Sequence, residues 1–285
     1  MASQDLDLKP VQANVTHPRP DLSRVDRSLQ AVYSPPKDGI ESNLLLLFHG
    51  LGDAAKPFAQ LGQSLNLPQT AVLALQAPAR IPLLEEEAYQ WWDSFDPLGE
   101  IIPNPNPSAT LTLFTRVLEY LSKPTPEGGC GWRPSQIHCF GFAQGGSCAG
   151  ELALHWSRSR PSSAPSSGTS ATEHLGSLVS VSAPLLSHPT LSNAATTKVC
   201  LVYRAPEERA IGAASWRKGF QSVKEVKLPG GRGREGMPRG MDEWREIMRF
   251  WSEVLHRKSA LELAGDVYEV AGGVAAAEQA GARRP

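Results

Sequence analysis

Two short stretches carry residue types at a spacing that could do chemistry. The first, Ile137–Gly146, reads IHCFGFAQGG. An apolar run closes on Gly141, and Gly145 and Gly146 follow after three intervening residues. A Gly-x-Ser-x-Gly turn of this kind leads a strand into a helix and lifts its middle residue into an exposed, strained position, where a serine attacks an acyl carbon. Here the middle residue is Ala143, and a methyl group attacks nothing. The second stretch, His49–Asp53, reads HGLGD and also closes an apolar run. With little side-chain bulk, both turns can present backbone N–H groups to a ligand. An acyl-transfer site takes one such N–H from the residue after the elbow and another from an early strand-to-helix loop. By position these are Gln144 and Leu51.

The elements that must position these turns are readable from hydrophobic period. Leu29–Pro35 reads as a short strand, and Asn43–Gly50 and Thr70–Pro78 as strands buried on both faces. Lys56–Leu65 has apolar residues at helical spacing, as does Ser108–Lys123, with Ser108 as the expected N-cap. The stretch between residues 79 and 108 is rich in Pro and aromatics and reads as a functional loop or lid. The elbow strand then leads into a helix over Gly145–Trp156. Residues 157–174, rich in Ser, Pro and Gly, read as a disordered insertion. Two apolar strands follow, in LGSLVSVSAPLL and KVCLVYRAP, then a helix in GAASWRKGFQSV, a last strand in KEVKLPG and a strong closing helix in MDEWREIMRFWSEVLHRK. Strands alternate with helices throughout. The pattern predicts a mostly parallel central sheet with helices on both faces, as one domain over residues 29–258, with a loose lead-in over 1–28 and a flexible tail over 259–285.

In this order and spacing LLLLFHGLGDAAKPFAQL, LQAP, WWDSF and GFAQGG resemble the phospholipase/carboxylesterase family of α/β-hydrolases, which includes the acyl-protein thioesterases. The closing MPRGMDEWREIMRFW looks like a fungal branch of it. The resemblance spans about residues 29–258. It implies cleavage of a small acyl ester or thioester, or of an acylated protein, by a Ser-His-Asp triad without a cofactor. It also implies an acyl pocket lined by His49, Gly50, Trp91 and Trp92.

The departures from that pattern are as specific as the matches. The family's serine position holds Ala143. Its acid follows the sixth strand in an HGxxD-like turn, where this chain has YRAPEER, so Glu207 or Glu208 would have to substitute. Its histidine follows the last strand in a GxGH-like turn, where this chain has PGGRGREGMP and the nearest proton acceptor is Glu235. In this chain order a histidine must come after the acid, and beyond Lys198 only His256 remains, at the end of the closing helix. The triad therefore reads as degenerate. The resulting expectation is a catalytically impaired member or a non-catalytic protein that binds acyl ligands or protein partners.

Several residues admit a second reading. Ser147 and Cys148 are either displaced nucleophiles or packing residues of the helix after the elbow. His49 is either a base or a residue that stabilises its turn. Trp91 and Trp92 either line a pocket or pack in the core. Glu207 and Glu208 are either a remnant acid or solvated charges, and Glu85–Glu87 read as a solvated surface. The net charge of −1 supports neither nucleic acid nor an anionic membrane as partner. Four cysteines without a CxxC pair argue against a metal site and against a disulfide framework. No basic, apolar leader and no span of about 20 apolar residues is present, so the expectation is a cytoplasmic protein.

Overall fold

The computed structural model describes residues 7–10, 16–81, 87–159, 174–204, 211–230, 236–264 and 268–271. In chain order the elements are β1 (Asp7–Pro10), β2 (Ala31–Ser34), β3 (Asn43–Phe48), α1 (Ala55–Leu65), β4 (Thr70–Leu75), β5 (Ala79–Arg80), β6 (Tyr89–Gln90), α2 (Ser108–Ser122), β7 (Ile137–Phe142), α3 (Gln144–Ser159), β8 (Ser177–Val181), β9 (Lys198–Arg204), α4 (Ala213–Gly219), β10 (Val223–Leu228), α5 (Gly240–Val254), α6 (Ala260–Ala264) and β11 (Tyr268–Ala271).

The main unit, His17–His256, is built on a seven-stranded sheet of order β10-β9-β8-β7-β3-β4-β2. All neighbours are parallel except β2 against β4. This is the mostly parallel sheet of the α/β-hydrolase fold. The two runs that carry the chemistry-bearing turns, β3 and β7, lie side by side at its centre, with Phe48 opposite Gly141. Both turns therefore emerge at the same carboxyl edge.

The apolar run of β3 is buried along its whole length because it serves two cores. Its alternate residues Leu44, Leu46 and Phe48 face a core with Phe114, Leu118, Leu152 and Trp216 from α2, α3 and α4. Leu45 and Leu47 face the opposite core with Phe58, Ile247 and Trp251 from α1 and α5. The period-2 pleat thus sends one strand's side chains to helix layers on both faces. Phe140 of β7 continues the second core against Trp244 and Trp251 of α5, with ring centroids 5.8 and 6.0 Å away.

One local expectation is corrected. Ser108 is the first residue of α2 rather than its cap. Pro107 holds the cap position, and the Ser108 N–H donates to the Asn106 side chain at 3.0 Å. The main unit takes in residues from His17 onward. The His17 ring stacks on Trp132 with centroids 3.6 Å apart, and Leu22 is buried in the core.

A second unit comprises Met1–Thr16 and Arg257–Pro285. Within it β1 pairs antiparallel with β11, Asp7 opposite Ala271. In α6 the N–H of Glu262 donates to the Ser259 hydroxyl while the Glu262 carboxylate accepts from the Ser259 N–H, a reciprocal cap. Of the expected insertion, Ser157–Ser159 complete α3, and residues 160–173 lie outside the described residues. Among the described residues no helix is long and apolar enough to cross a membrane.

Candidate functional site

Ala143 sits between the last residue of β7 and the first of α3 with φ 48°. A non-glycine residue in this left-handed region costs about 1 kcal/mol or more and persists only where its surroundings over-determine it. They do so here. The Ala143 N–H donates to the Val181 carbonyl at 2.9 Å, and its own carbonyl accepts from Ser147 at 3.0 Å. The glycines around it are places of close backbone approach. A Cβ on Gly145 would stand 2.4 Å from the Phe48 carbonyl oxygen and 2.2 Å from that of His49. The first turn of α3 is thereby pressed onto the end of β3.

His49 is fully buried and both ring nitrogens are engaged. Nδ1 lies 2.8 Å from the Gly50 carbonyl, and Nε2 accepts the Ala77 N–H at 3.0 Å with the Gln76 amide at 3.1 Å. Since Nε2 accepts from a backbone donor, the proton rests on Nδ1. Burial holds its pKa below the ordinary histidine value. The ring braces its own turn and has no lone pair left for the elbow. Beyond it, Leu51 is 40% exposed, while Gly52 donates to the Tyr89 carbonyl at 2.9 Å and Asp53 to the Gly50 carbonyl at 3.3 Å. Among the described residues, neither the Leu51 N–H nor the Gln144 N–H meets an acceptor.

Trp91 has no exposed surface and Trp92 only 7%. The Trp91 ring packs on Phe48, His49 and Phe114, its indole N–H donates to the His49 carbonyl at 2.8 Å, and its carbonyl accepts from the Thr110 hydroxyl. The Gln144 side chain reaches across to the same segment. Its Oε1 accepts the Trp91 N–H at 2.8 Å, and its Nε2 donates to the Ser94 hydroxyl at 2.7 Å and the Trp92 carbonyl at 3.3 Å. Sequence reasoning assigned Gln144 a backbone role only and missed both its side chain and Ser94. The signal was a long polar side chain held between glycines, with a polar residue after WWD.

Ser147 and Cys148 are both buried in α3, and burial pushes the Cys148 thiol well above its ordinary pKa, which leaves it unreactive. Gly50 faces the Phe142 ring, whose nearest atom is 2.9 Å from where its Cβ would be. The same ring touches the space beside Gly236. Glu207, Glu208 and Glu235 lie outside the described residues, as do Glu85 and Glu86; Glu87 is exposed. At the margin of those segments Arg204, 2% exposed, closes β9. Its guanidinium donates to both carboxylate oxygens of Glu243, at 3.0 and 2.7 Å, and to the carbonyls of Pro229 and Met237, each at 3.0 Å. His256 is held at the opposite edge of the sheet. Its N–H and carbonyl bond the Asn43 side chain at the start of β3, and the six residues of β3 separate that point from the elbow edge by about 20 Å.

The sequence profile of the Phospholipase/Carboxylesterase family matches residues 30–204. An uncharacterized hydrolase of Mycosarcoma maydis is 37% identical over 243 residues, covering 84% of this chain and 86% of that protein. Among solved structures, the esterase PE8 superposes with a TM-score of 0.57 at 17% identity, covering 80% of this chain and 99% of that one. Acyl-protein thioesterase 2 of Zea mays superposes with a TM-score of 0.55 at 18% identity, again over 80% and 99%. At such identities the structural likeness is one of fold.

Proposed function

The chain belongs to the phospholipase/carboxylesterase family, and from that membership we propose that it binds acyl ligands while its capacity to hydrolyse esters or thioesters is strongly impaired. The observation that carries this reading is Ala143, held at φ 48° at the elbow. The strained turn is kept, the side chain at its apex has no reactive atom, and the N–H groups of Gln144 and Leu51 have no partner among the described residues. Such donors can take the oxygen of an acyl carbonyl or carboxylate. Among the described residues, neither candidate histidine offers the elbow a free proton acceptor. His49 has both nitrogens engaged, and His256 is tied to the far edge of the sheet. Glu207 or Glu208 at the acid position and Glu235 near the histidine position are the remaining candidates. An unperturbed glutamate, with a pKa near 4.3, is a weak base at neutral pH. Loss of nucleophile or base in a serine protease costs on the order of 10⁶ in kcat, and a comparable loss is expected here.

The test is kcat/KM for p-nitrophenyl butyrate, with binding of decanoate measured in parallel. A serine hydroxyl needs an adjacent base, so wild type and Ala143→Ser should agree within about tenfold, ~1.4 kcal/mol of barrier. Decanoate should bind saturably to both. A rise of about a thousandfold in Ala143→Ser, ~4 kcal/mol, would reveal a working base and overturn the reading.

A further inference from the structure

We propose that the Gln144 side chain and the Trp91 indole are positioning groups that lock the backbone N–H groups of Leu51 and Gln144 into one two-donor unit, and so set how tightly a ligand oxygen is held there. The inference rests on the acyl-ligand reading above and adds the residues that tune that site. Leu51 and Gln144 are far apart in the chain and sit on different turns. What joins them is the segment Tyr89–Ser94. On one side it is bonded to the HGLGD turn, through Gly52 N–H to the Tyr89 carbonyl at 2.9 Å, Tyr89 N–H to the Asp53 carbonyl at 3.3 Å, and the Trp91 indole to the His49 carbonyl at 2.8 Å. On the other side it is bonded to Gln144 through Trp91, Trp92 and Ser94.

The chemistry of these bonds requires an amide at position 144. The Trp91 backbone N–H can only donate, so it must face Oε1. The Trp92 carbonyl can only accept, so it must face Nε2. A carboxylate would turn an acceptor toward a carbonyl, and a thioether would satisfy neither partner. The Trp91 indole acts at a second point. The His49 carbonyl that accepts it is also the atom against which Gly145 packs, with a Cβ on Gly145 falling 2.2 Å away. That one carbonyl fixes the HGLGD turn relative to α3. Neither side chain needs to touch the ligand. Their effect is on the spacing and rigidity of the two donors, which decides how well both reach a single oxygen.

The experiment compares wild type with Gln144→Met and with Trp91→Phe, which keeps the buried ring and removes only the indole N–H. Decanoate and decanol serve as probes, matched in apolar length, and melting curves confirm folding. Trp91→Phe loses one buried, donor-aligning bond and Gln144→Met loses three, so each should weaken decanoate about tenfold or more and decanol by distinctly less, because bonds from the paired donors to a carboxylate are about twice as strong as bonds to a neutral hydroxyl. Equal loss of both probes, or loss of neither, would overturn the positioning role. If wild type binds neither probe, the acyl-ligand reading fails, and amide hydrogen exchange decides the brace by itself. Gln144→Met should then speed exchange at Gly52 and Tyr89 together with Trp91. A change confined to Trp91 would show that the two turns are not coupled, and the proposal would fall.

Discussion

At the scale of single residues, buried histidines show how position decides chemistry. His49 and His138 are both fully buried, and each is spent on hydrogen bonds. His138 has Nδ1 2.8 Å from the Ser177 hydroxyl and Nε2 3.2 Å from the Asn43 amide oxygen, with the His256 ring 6.5 Å away. Burial, and to a lesser extent the neighbouring His256, pushes its pKa down to about 3. Below its ordinary value of 6.5 the unfolded chain takes up a proton that the folded chain refuses. The stability this histidine contributes is therefore complete above pH 6.5 and is lost as pH falls from there toward 3. The loss is about 1.4 kcal/mol per pH unit, so about 2 kcal/mol at pH 5. Urea unfolding of wild type and His138→Gln at pH 7.5 and pH 5 checks this. The drop in stability between the two pH values should be smaller in the variant by about that amount. Equal drops would mean that His138 is protonated in the native state.

At the scale of elements, Arg204 joins β9, the end of β10 and α5. The guanidinium links the end of β9 to the residue after β10, to Met237 and to Glu243 in the first turn of α5. Glu243 in turn accepts the Arg239 N–H at 2.7 Å, which caps the start of α5. Breaking a buried ion pair from one side leaves a charge without its partner, at about 3–5 kcal/mol, whereas an apolar replacement of both members is often close to neutral. Arg204→Met should lower the unfolding free energy extrapolated from urea titration by an amount in that range, and Arg204→Met combined with Glu243→Leu should regain most of it. A single variant as stable as wild type would show that the pair does not hold these elements. The motif MPRGMDEW, read from sequence only as a family signature, thus acquires a physical role as the site where α5 is fastened to the sheet.

At the scale of the whole molecule, one sheet supports two helix layers, and the connections differ in what they contribute. The connection from β6 to α2 is bonded to both turns at the elbow edge. The connection from α3 to β8 passes through residues 160–173, whose Ser/Pro/Gly composition offers no apolar face. α3 is complete at Ser159, and β8 begins at Ser177. Replacing residues 160–173 with a Gly/Ser linker of half the length should shift the melting temperature by less than about 2 °C, since loop closure costs only ~0.6 kcal/mol per doubling of length. A fall of several degrees in a thermal scan would mean that the segment belongs to the folded core.

Sequence by itself determined the order of the longer strands and helices of the main unit, the burial of Asn43–Phe48 on both faces, and the alanine at the apex of the elbow. Those features follow from local rules: continuous apolar runs, helical period and glycine spacing act over neighbouring residues. The start of α2 was misread by one position, because Asn106 and Ser108 are equally good local acceptors and only the folded turn chooses between them. Tertiary structure alone decided what His49, Trp91, Gln144 and Arg204 do. Each bonds to partners many residues away, such as Gln144 to Ser94 and Arg204 to Glu243. A side-chain bond depends on distance and direction after the sheet has formed. No spacing in the chain states that the amide of Gln144 faces the backbone of Trp91, or that both nitrogens of His49 are already taken.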